Sequence, residues 1–265
     1  MRTKIALFLC IVFFLTSCAT VPVTGRRQLS LISSGEIHSM SFKEYDNFLS
    51  QHKVIKDTEQ AKMVKNIGKR IQKAVEKYFA KKKMSDHIKG YKWEFNLVDE
   101  ATVNAWCMPG GKVVVYSGIL PITQDETGLA VVMGHEIAHA VANHGKERMS
   151  QGLIVQMGGA ALSQALSEKP EETHNLFLTA YGVGTQVGLM LPYSRLHESE
   201  ADRLGLIFMA MAGYDPHAAV DFWRRMSGSK GGSSSLEFLS THPSDKTRIK
   251  NLKQLLPEAL GYYKK

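Results

Sequence analysis

The feature that most constrains this chain is Gly134-His135-Glu136-Ile137-Ala138-His139, set in a mostly apolar stretch that runs from Thr123 to about Ala142. Residues four apart share one face of a helix, so both imidazoles can meet a single cation, while Glu136, one residue round, reaches a water beside it. A helix this apolar on all sides is buried, and buried histidines and carboxylates need partners. The rest of the chain must therefore wrap this helix and bring at least one more ligand to it. Thr123 with Glu126 forms the pattern of a capping box at its start.

A catalytic zinc keeps three protein ligands and one open position. His144 follows the two histidines by five and nine residues, which turns it about 140 to 180 degrees round the same helix and away from the metal. A glycine at 142 and a histidine at 145 would supply a ligand on the chain's return, but the sequence has Ala142 and Gly145. The third ligand then lies on a second helix, for which Glu198-Ser199-Glu200-Ala201-Asp202 is the candidate. Glu198 and Asp202 share a face and Glu200 points roughly opposite. Glu198 is read as the ligand and Asp202 as a hydrogen-bond partner of a ligand imidazole. A solvated acidic helix start, favoured by the helix dipole, explains Glu198 and Glu200 adequately without a metal, and only the partner motif on the first helix lifts the metal reading above it. Taken together, the residues predict a zinc endopeptidase with one Zn2+ per chain on His135, His139 and Glu198 and with Glu136 as general base.

Elsewhere the chain alternates between helical and strand periods. Ala61, Val64, Ile67, Ile71, Ala74, Val75 and Tyr78 recur at three and four, the stripe of an amphipathic helix. Tyr91 to Val98 alternates with period two, and Lys112 to Ser117 follows the turn Pro109-Gly110-Gly111, so two strands are expected. Gly152 to Leu166 and Asn175 to Leu191 are nearly uncharged but short of the roughly 20 apolar residues that a membrane span needs, so buried or interfacial helices are expected. Further helices are expected from Glu198 to about Ala212, after Asp215-Pro216, and from Ser244 to Leu256, with a flexible loop from Gly228 to Ser235. The fold class is α+β, mainly helical, with a small β-sheet next to the metal-binding helix.

The first residues, Met1-Arg2-Thr3-Lys4, and the apolar run from Ile5 to Leu15 have the layout of a signal peptide, and Leu15-Thr16-Ser17-Cys18 looks like the lipobox of a bacterial lipoprotein. An ordinary secretory signal with an incidental cysteine is the other reading. The domains expected are thus a leader at 1–17, a tether at 18–35 lipidated on Cys18, and a peptidase domain at 36–265. The location that follows is the bacterial cell envelope, on the periplasmic face of the outer membrane. Losing Arg2 and Lys4 but no acid lowers the formal charge from +8 to +6. In that compartment the basic surface meets acidic headgroups or acidic protein segments and not nucleic acid. Of three cysteines, only Cys107 would stay free, and a small buried hydrophobe is its expected role.

The two helical motifs, with Pro22-Val-Thr-Gly-Arg-Arg27, Asn104-Ala-Trp-Cys-Met-Pro-Gly-Gly111 and Thr241-His-Pro-Ser-Asp245, resemble the gluzincin peptidase family of HtpX, the CAAX prenyl endopeptidases and the Oma-type proteases. Within it the likeness is greatest to periplasmic lipoprotein members of the LoiP and BepA type, here without the C-terminal repeat domain of the latter. The resemblance implies a zincin-like domain and repeats the assignment of zinc to His135, His139 and Glu198. It also implies that His242 approaches the metal, as an oxyanion stabiliser or as a self-inhibiting fourth ligand, and that Asn104, Ala105, Pro109, Gly110 and Gly111 line the substrate cleft. Misfolded or stalled outer-membrane proteins would be the substrates. A membrane-tethered chaperone or assembly factor with a latent zinc site is the alternative.

Overall fold

The computed structural model describes residues 18–21, 24–228, 237–242 and 246–264. A short hairpin comes first, β1 (Cys18–Thr20) against β2 (Arg27–Leu29), followed by α1 (Ser34–Gln51), β3 (Val54–Ile55) and α2 (Glu59–Lys81). The strands β4 (Glu94–Val98), β5 (Ala105–Met108) and β6 (Lys112–Tyr116) come next. The remaining helices are α3 (Leu120–Thr123), α4 (Glu126–Val141), α5 (His144–Ala165), α6 (Glu171–Thr185), α7 (Leu191–Met211), α8 (Ala218–Gly228), α9 (Glu237–Thr241) and α10 (Lys246–Leu260). The fold is therefore mainly helical with one small mixed sheet, the α+β class read from the sequence.

The sheet has the order β3-β4-β6-β5, with β4 and β6 parallel and the other pairs antiparallel. Strand β6 reads Lys-Val-Val-Val-Tyr without alternation because both its faces are covered. Val113 and Val115 join the main core, while Val114 packs with Tyr45 and Trp106 beneath α1. Strand β5 closes one end of the sheet and lies against α4.

Helix α4 is the centre of the molecule, buried along Gly128 to Val141 and flanked by α2, α7 and β5. Its cap is not Thr123: Gln124 turns at φ +69° and Asp125 accepts from the Gly128 amide at 2.7 Å. The Thr123/Glu126 pairing is replaced because the chain breaks between α3 and α4, which makes Asp125 the residue facing the orphan amides. Helices α4 and α7 cross at glycines. A Cβ on Gly205 would stand 2.9 Å from the His135 amide nitrogen, and one on Gly134 would stand 3.0 Å from the Gly205 carbonyl oxygen. That close approach is what aligns the acidic face of α7 with the histidine face of α4.

The two uncharged stretches became the second half of α5 and α6, and neither is buried. Helix α6 has no buried residue, and Met157, Leu176, Phe177, Val183 and Val187 are all more than half exposed. Among the described residues no helix is long and apolar enough to cross a membrane. Residues 18–35, read as a tether, instead carry β1 and β2 and a fully buried Val21, docked against the body. The expected leader and most of the expected 228–235 loop lie outside the described residues.

Candidate metal centre

Four side chains, two from α4, one from α7 and one from the bend after α9, converge at one point. His135, His139, Glu198 and His242 each offer one ligand atom, and these atoms lie within 4.8 Å of one another. His139 Nε2 is 3.0 Å from His135 Nε2, and the Glu198 oxygens stand 3.3 and 3.2 Å from the same two nitrogens. His242 Nδ1 closes the group, at 3.2 Å from His135 Nε2 and 3.0 Å from both Glu198 oxygens. Four donors at zinc-ligand distances in a tetrahedron stand ~3.3 Å apart, so the spacing fits a first-row metal such as zinc.

The chemistry of the donor set fits as well. Two imidazole nitrogens aimed at each other beside a carboxylate favour a positive charge at their centre. Burial lowers the His135 pKa, yet hydrogen bonds to Asp202 and Glu198 outweigh it and raise the group to about 9. The Glu198 carboxyl would be pushed up by burial, but bonds from three histidines hold it far below its ordinary value. Each ligand imidazole is also fixed from behind. His135 Nδ1 lies 3.1 Å from Asp202 Oδ1, leaving Nε2 for the metal. His139 Nδ1 lies 2.8 Å from His144 Nδ1 in the same sense.

Glu136 sits beside the donor set with 4% of its surface exposed, and its Oε1 has no hydrogen-bond partner among the described residues. His242 Nε2 stands 3.4 Å from the same oxygen. Burial raises the Glu136 pKa, which suits a general base. A cavity of about 200 Å³ opens in front of it, lined by Asn104, Ala105, Cys107, Pro109 and His242 among others. Gly110 and Gly111 are not among its lining residues. Both stand at positive φ in the β5–β6 turn, where a Cβ would strike Phe42 or Trp93, so they shape the strand edge. Burial lifts the Cys107 thiol well above its usual pKa, which makes it a poor nucleophile.

The sequence reading did not find Arg248 on α10. Its guanidinium donates to both Asp202 oxygens at 2.9 and 2.6 Å, lies 3.0 Å from Glu198 Oε2, and rests 3.5 Å from the Trp223 ring centroid. It therefore holds the metal carboxylate and its neighbour together. His144 is not among the converging ligands, and it opens a new helix after the turn at Asn143 instead of continuing α4; it is fully buried and bonds His139 on one nitrogen and Glu200 on the other. Glu200 does point away from the metal, yet it is buried rather than solvated. A helix-start motif carries no signal for either role, because the partners come from α5 and from the N-terminal hairpin.

The model of peptidase family M48 matches residues 66–256. The mitochondrial metalloendopeptidase OMA1 of Schizosaccharomyces pombe is 33% identical over 251 residues, 94% of this chain and 69% of that protein. Metalloendopeptidase OMA1, mitochondrial, of Homo sapiens is 30% identical over 267 residues, 94% of this chain and 48% of its own length. The beta-barrel assembly-enhancing protease of Escherichia coli is 26% identical over 242 residues, covering 89% of this chain and 47% of that protein. The chain thus spans about half the length of most of these relatives. Identities of 30 to 37% to proteins named mitochondrial, against 26% to a bacterial one, overturn the placement on the periplasmic face of a bacterial outer membrane. A lipobox-like leader is a short apolar pattern with few fixed positions, so it weighed too much in that expectation.

Proposed function

Because the chain belongs to peptidase family M48 and is a metallopeptidase, we propose that it is a zinc-dependent endopeptidase acting on unfolded or misfolded protein segments. The observation that carries this reading is the convergence of His135, His139 and Glu198 beside a buried Glu136 that lines the cleft.

When bound, zinc supplies Lewis acidity toward water and the scissile carbonyl. Glu136 removes the water's proton and returns it to the leaving amine, and burial has already raised its pKa in that direction. Asp202 and Arg248 keep His135 and Glu198 aimed. Strand β5 ends the sheet next to Glu136, so an extended segment can pair with its free edge and lay its backbone across the site. Such pairing reads backbone rather than sequence, which favours unfolded chains over one defined motif.

His242 supports a second element of the reading. Its Nδ1 takes the fourth corner of the donor set, where an open position would otherwise lie. The conformation described is then the latent one, and His242 must withdraw for turnover. The alternative, a binding factor with a permanently closed zinc site, rests on this same contact.

The test is metal content and cleavage of fluorescent casein by the full chain. One zinc per chain, with cleavage stopped by a chelator and restored by zinc, is the expected result, and His242→Ala raises the rate. Absence of bound metal would overturn the reading. One zinc with casein bound but uncut in both proteins would establish the binding factor instead.

A further inference from the structure

Behind the metal ligands lies a buried polar assembly that the reaction as described does not use. It centres on Arg26, in the hairpin turn before β2 and outside the span of the family match. Its guanidinium donates through Nη1 and Nη2 to Glu147 at 2.8 and 2.7 Å, and through Nε and Nη2 to Glu200 at 3.0 and 2.9 Å. Thr24 donates its hydroxyl to the other Glu200 oxygen. The turn that presents both is seated by Val21, whose backbone bonds the Arg26 carbonyl at 2.7 Å.

Glu200 Oε2 lies 3.2 Å from His144 Nε2, and His144 Nδ1 lies 2.8 Å from His139 Nδ1. The direction of these bonds is set by chemistry. A carboxylate only accepts, so His144 Nε2 carries the proton, which leaves Nδ1 to accept from His139 Nδ1–H. His139 then has its bare Nε2 on the metal side, the tautomer a ligand needs. The chain of contacts thus runs from Arg26 to Glu200, to His144 and to His139.

We propose that Arg26 is a positioning residue for the metal ligand His139, acting through Glu200 and His144, and that the N-terminal hairpin is an integral part of the metal site. Arginine suits this place because its planar fork supplies enough fixed donors for the four bonds to two carboxylates. Glu147 and its partner His197, 2.9 Å away, form the other arm of the fork; neither is among the converging metal ligands, though the His197 ring stacks on His144 at 4.3 Å. This inference rests on the peptidase reading for the identity of the metal but not for the geometry.

The experiment measures zinc affinity of the full chain by competition with a chromogenic chelator, alongside the melting temperature of each zinc-free protein. Arg26→Ala and His144→Leu each weaken zinc binding by about 10- to 100-fold. The double variant is no weaker than His144→Leu alone, since both break one path. His197→Phe, which loses the bond to Glu147 but keeps a ring stacked on His144, stays within about threefold of wild type while losing a comparable share of zinc-free stability. If Arg26→Ala does not fold, Glu200→Gln replaces it: its amide oxygen still accepts from His144, so affinity falls less than in His144→Leu. Unchanged affinity in a folded Arg26→Ala or Glu200→Gln protein overturns the proposal, as does an equal loss in His197→Phe. A wild-type chain that binds no zinc would instead overturn the peptidase reading.

Discussion

The crossing of α4 and α7 and the hairpin formed by the second half of α5 with α6 are both glycine-bearing helix pairs, yet they meet opposite surroundings. At the crossing, Gly134 and Gly205 are pressed together with no room for a Cβ, and every residue from Gly128 to Val141 is buried. In the hairpin, added Cβ atoms on Gly182 and Gly184 would meet nothing within 4 Å, those on Gly158 and Gly159 would meet the Tyr181 side chain and no backbone among their nearest atoms, and the apolar residues face outward. Apolar composition alone does not distinguish these two outcomes. What distinguishes them is that the crossing carries carboxylates and imidazoles that find one another, so that close packing and polar satisfaction enforce the same geometry.

The sharpest way to probe the crossing is to remove its chemistry without touching its packing. Glu136→Gln keeps the shape, and no ligand changes, so zinc content stays at the wild-type level while casein cleavage falls by about 10²- to 10⁴-fold. Loss of zinc in step with activity would show that Glu136 belongs to the packing and not to the reaction. The next largest effect comes from the packing itself. Gly205→Ala forces a methyl toward the His135 backbone, and relief requires α7 to back away. A cost of about 1–3 kcal/mol is expected, read as a lower melting temperature, together with weakened zinc binding because Glu198 retreats with α7. An unchanged melting temperature would mean that the crossing is looser than these distances imply.

How far the sequence disclosed this arrangement follows from the range of each interaction. His135, Glu136 and His139 are legible because the contact is local and one helical turn suffices. Glu198 and Asp202 are legible because they repeat that spacing on a second helix, and the structure brings both to the histidines. Arg248 carries no such signal, and Arg26, although it lies in the Pro22–Arg27 motif, has no spacing that names its partners. The bond from Arg26 to Glu200 spans 174 residues, and a basic residue in a polar stretch looks the same whether it is solvated or buried. Gly205 was visible inside a helical run, but only the partner helix gives it a reason. The capping residue moved from Thr123 to Asp125 because local rules for helix starts do not see the turn of the backbone at Gln124.

Acid tests the polar satisfaction of the region behind the crossing. Burial would raise the Glu147 and Glu200 pKa values, but their hydrogen bonds to Arg26 and the neighbouring histidines outweigh it and bring each to about 2. A folded-state pKa below the unfolded value near 4.5 contributes stability that is present above that value and lost as pH falls from about 4.5 toward 2. The melting temperature of the zinc-free chain should therefore drop across this window. In Glu147→Gln the drop is smaller, since one of the two carboxylates no longer titrates. An equal drop in both would assign acid sensitivity to groups outside this assembly.

The hairpin should give the smallest effect. Its two helices are joined by few polar contacts, among them Tyr181 Oη to the Val155 carbonyl at 3.0 Å and Ser163 Oγ to His174 Nε2 at 3.1 Å. Leu176 and Phe177 are 68% and 51% exposed, so replacing both by serine removes little buried apolar surface. Each exposed substitution should shift stability by no more than about 0.5 kcal/mol, and cleavage of a short peptide, which needs only the cleft, should not change. The same pair of substitutions would be costly in α4, where no apolar side chain is exposed. A fall of many degrees in melting temperature would mean that these side chains are covered in the purified protein, and sedimentation at several concentrations would then show whether a second copy of the chain covers them. With the melting temperature unchanged, the contrast stands: the crossing spends its apolar residues on holding a metal site in register, and the hairpin leaves them at the surface.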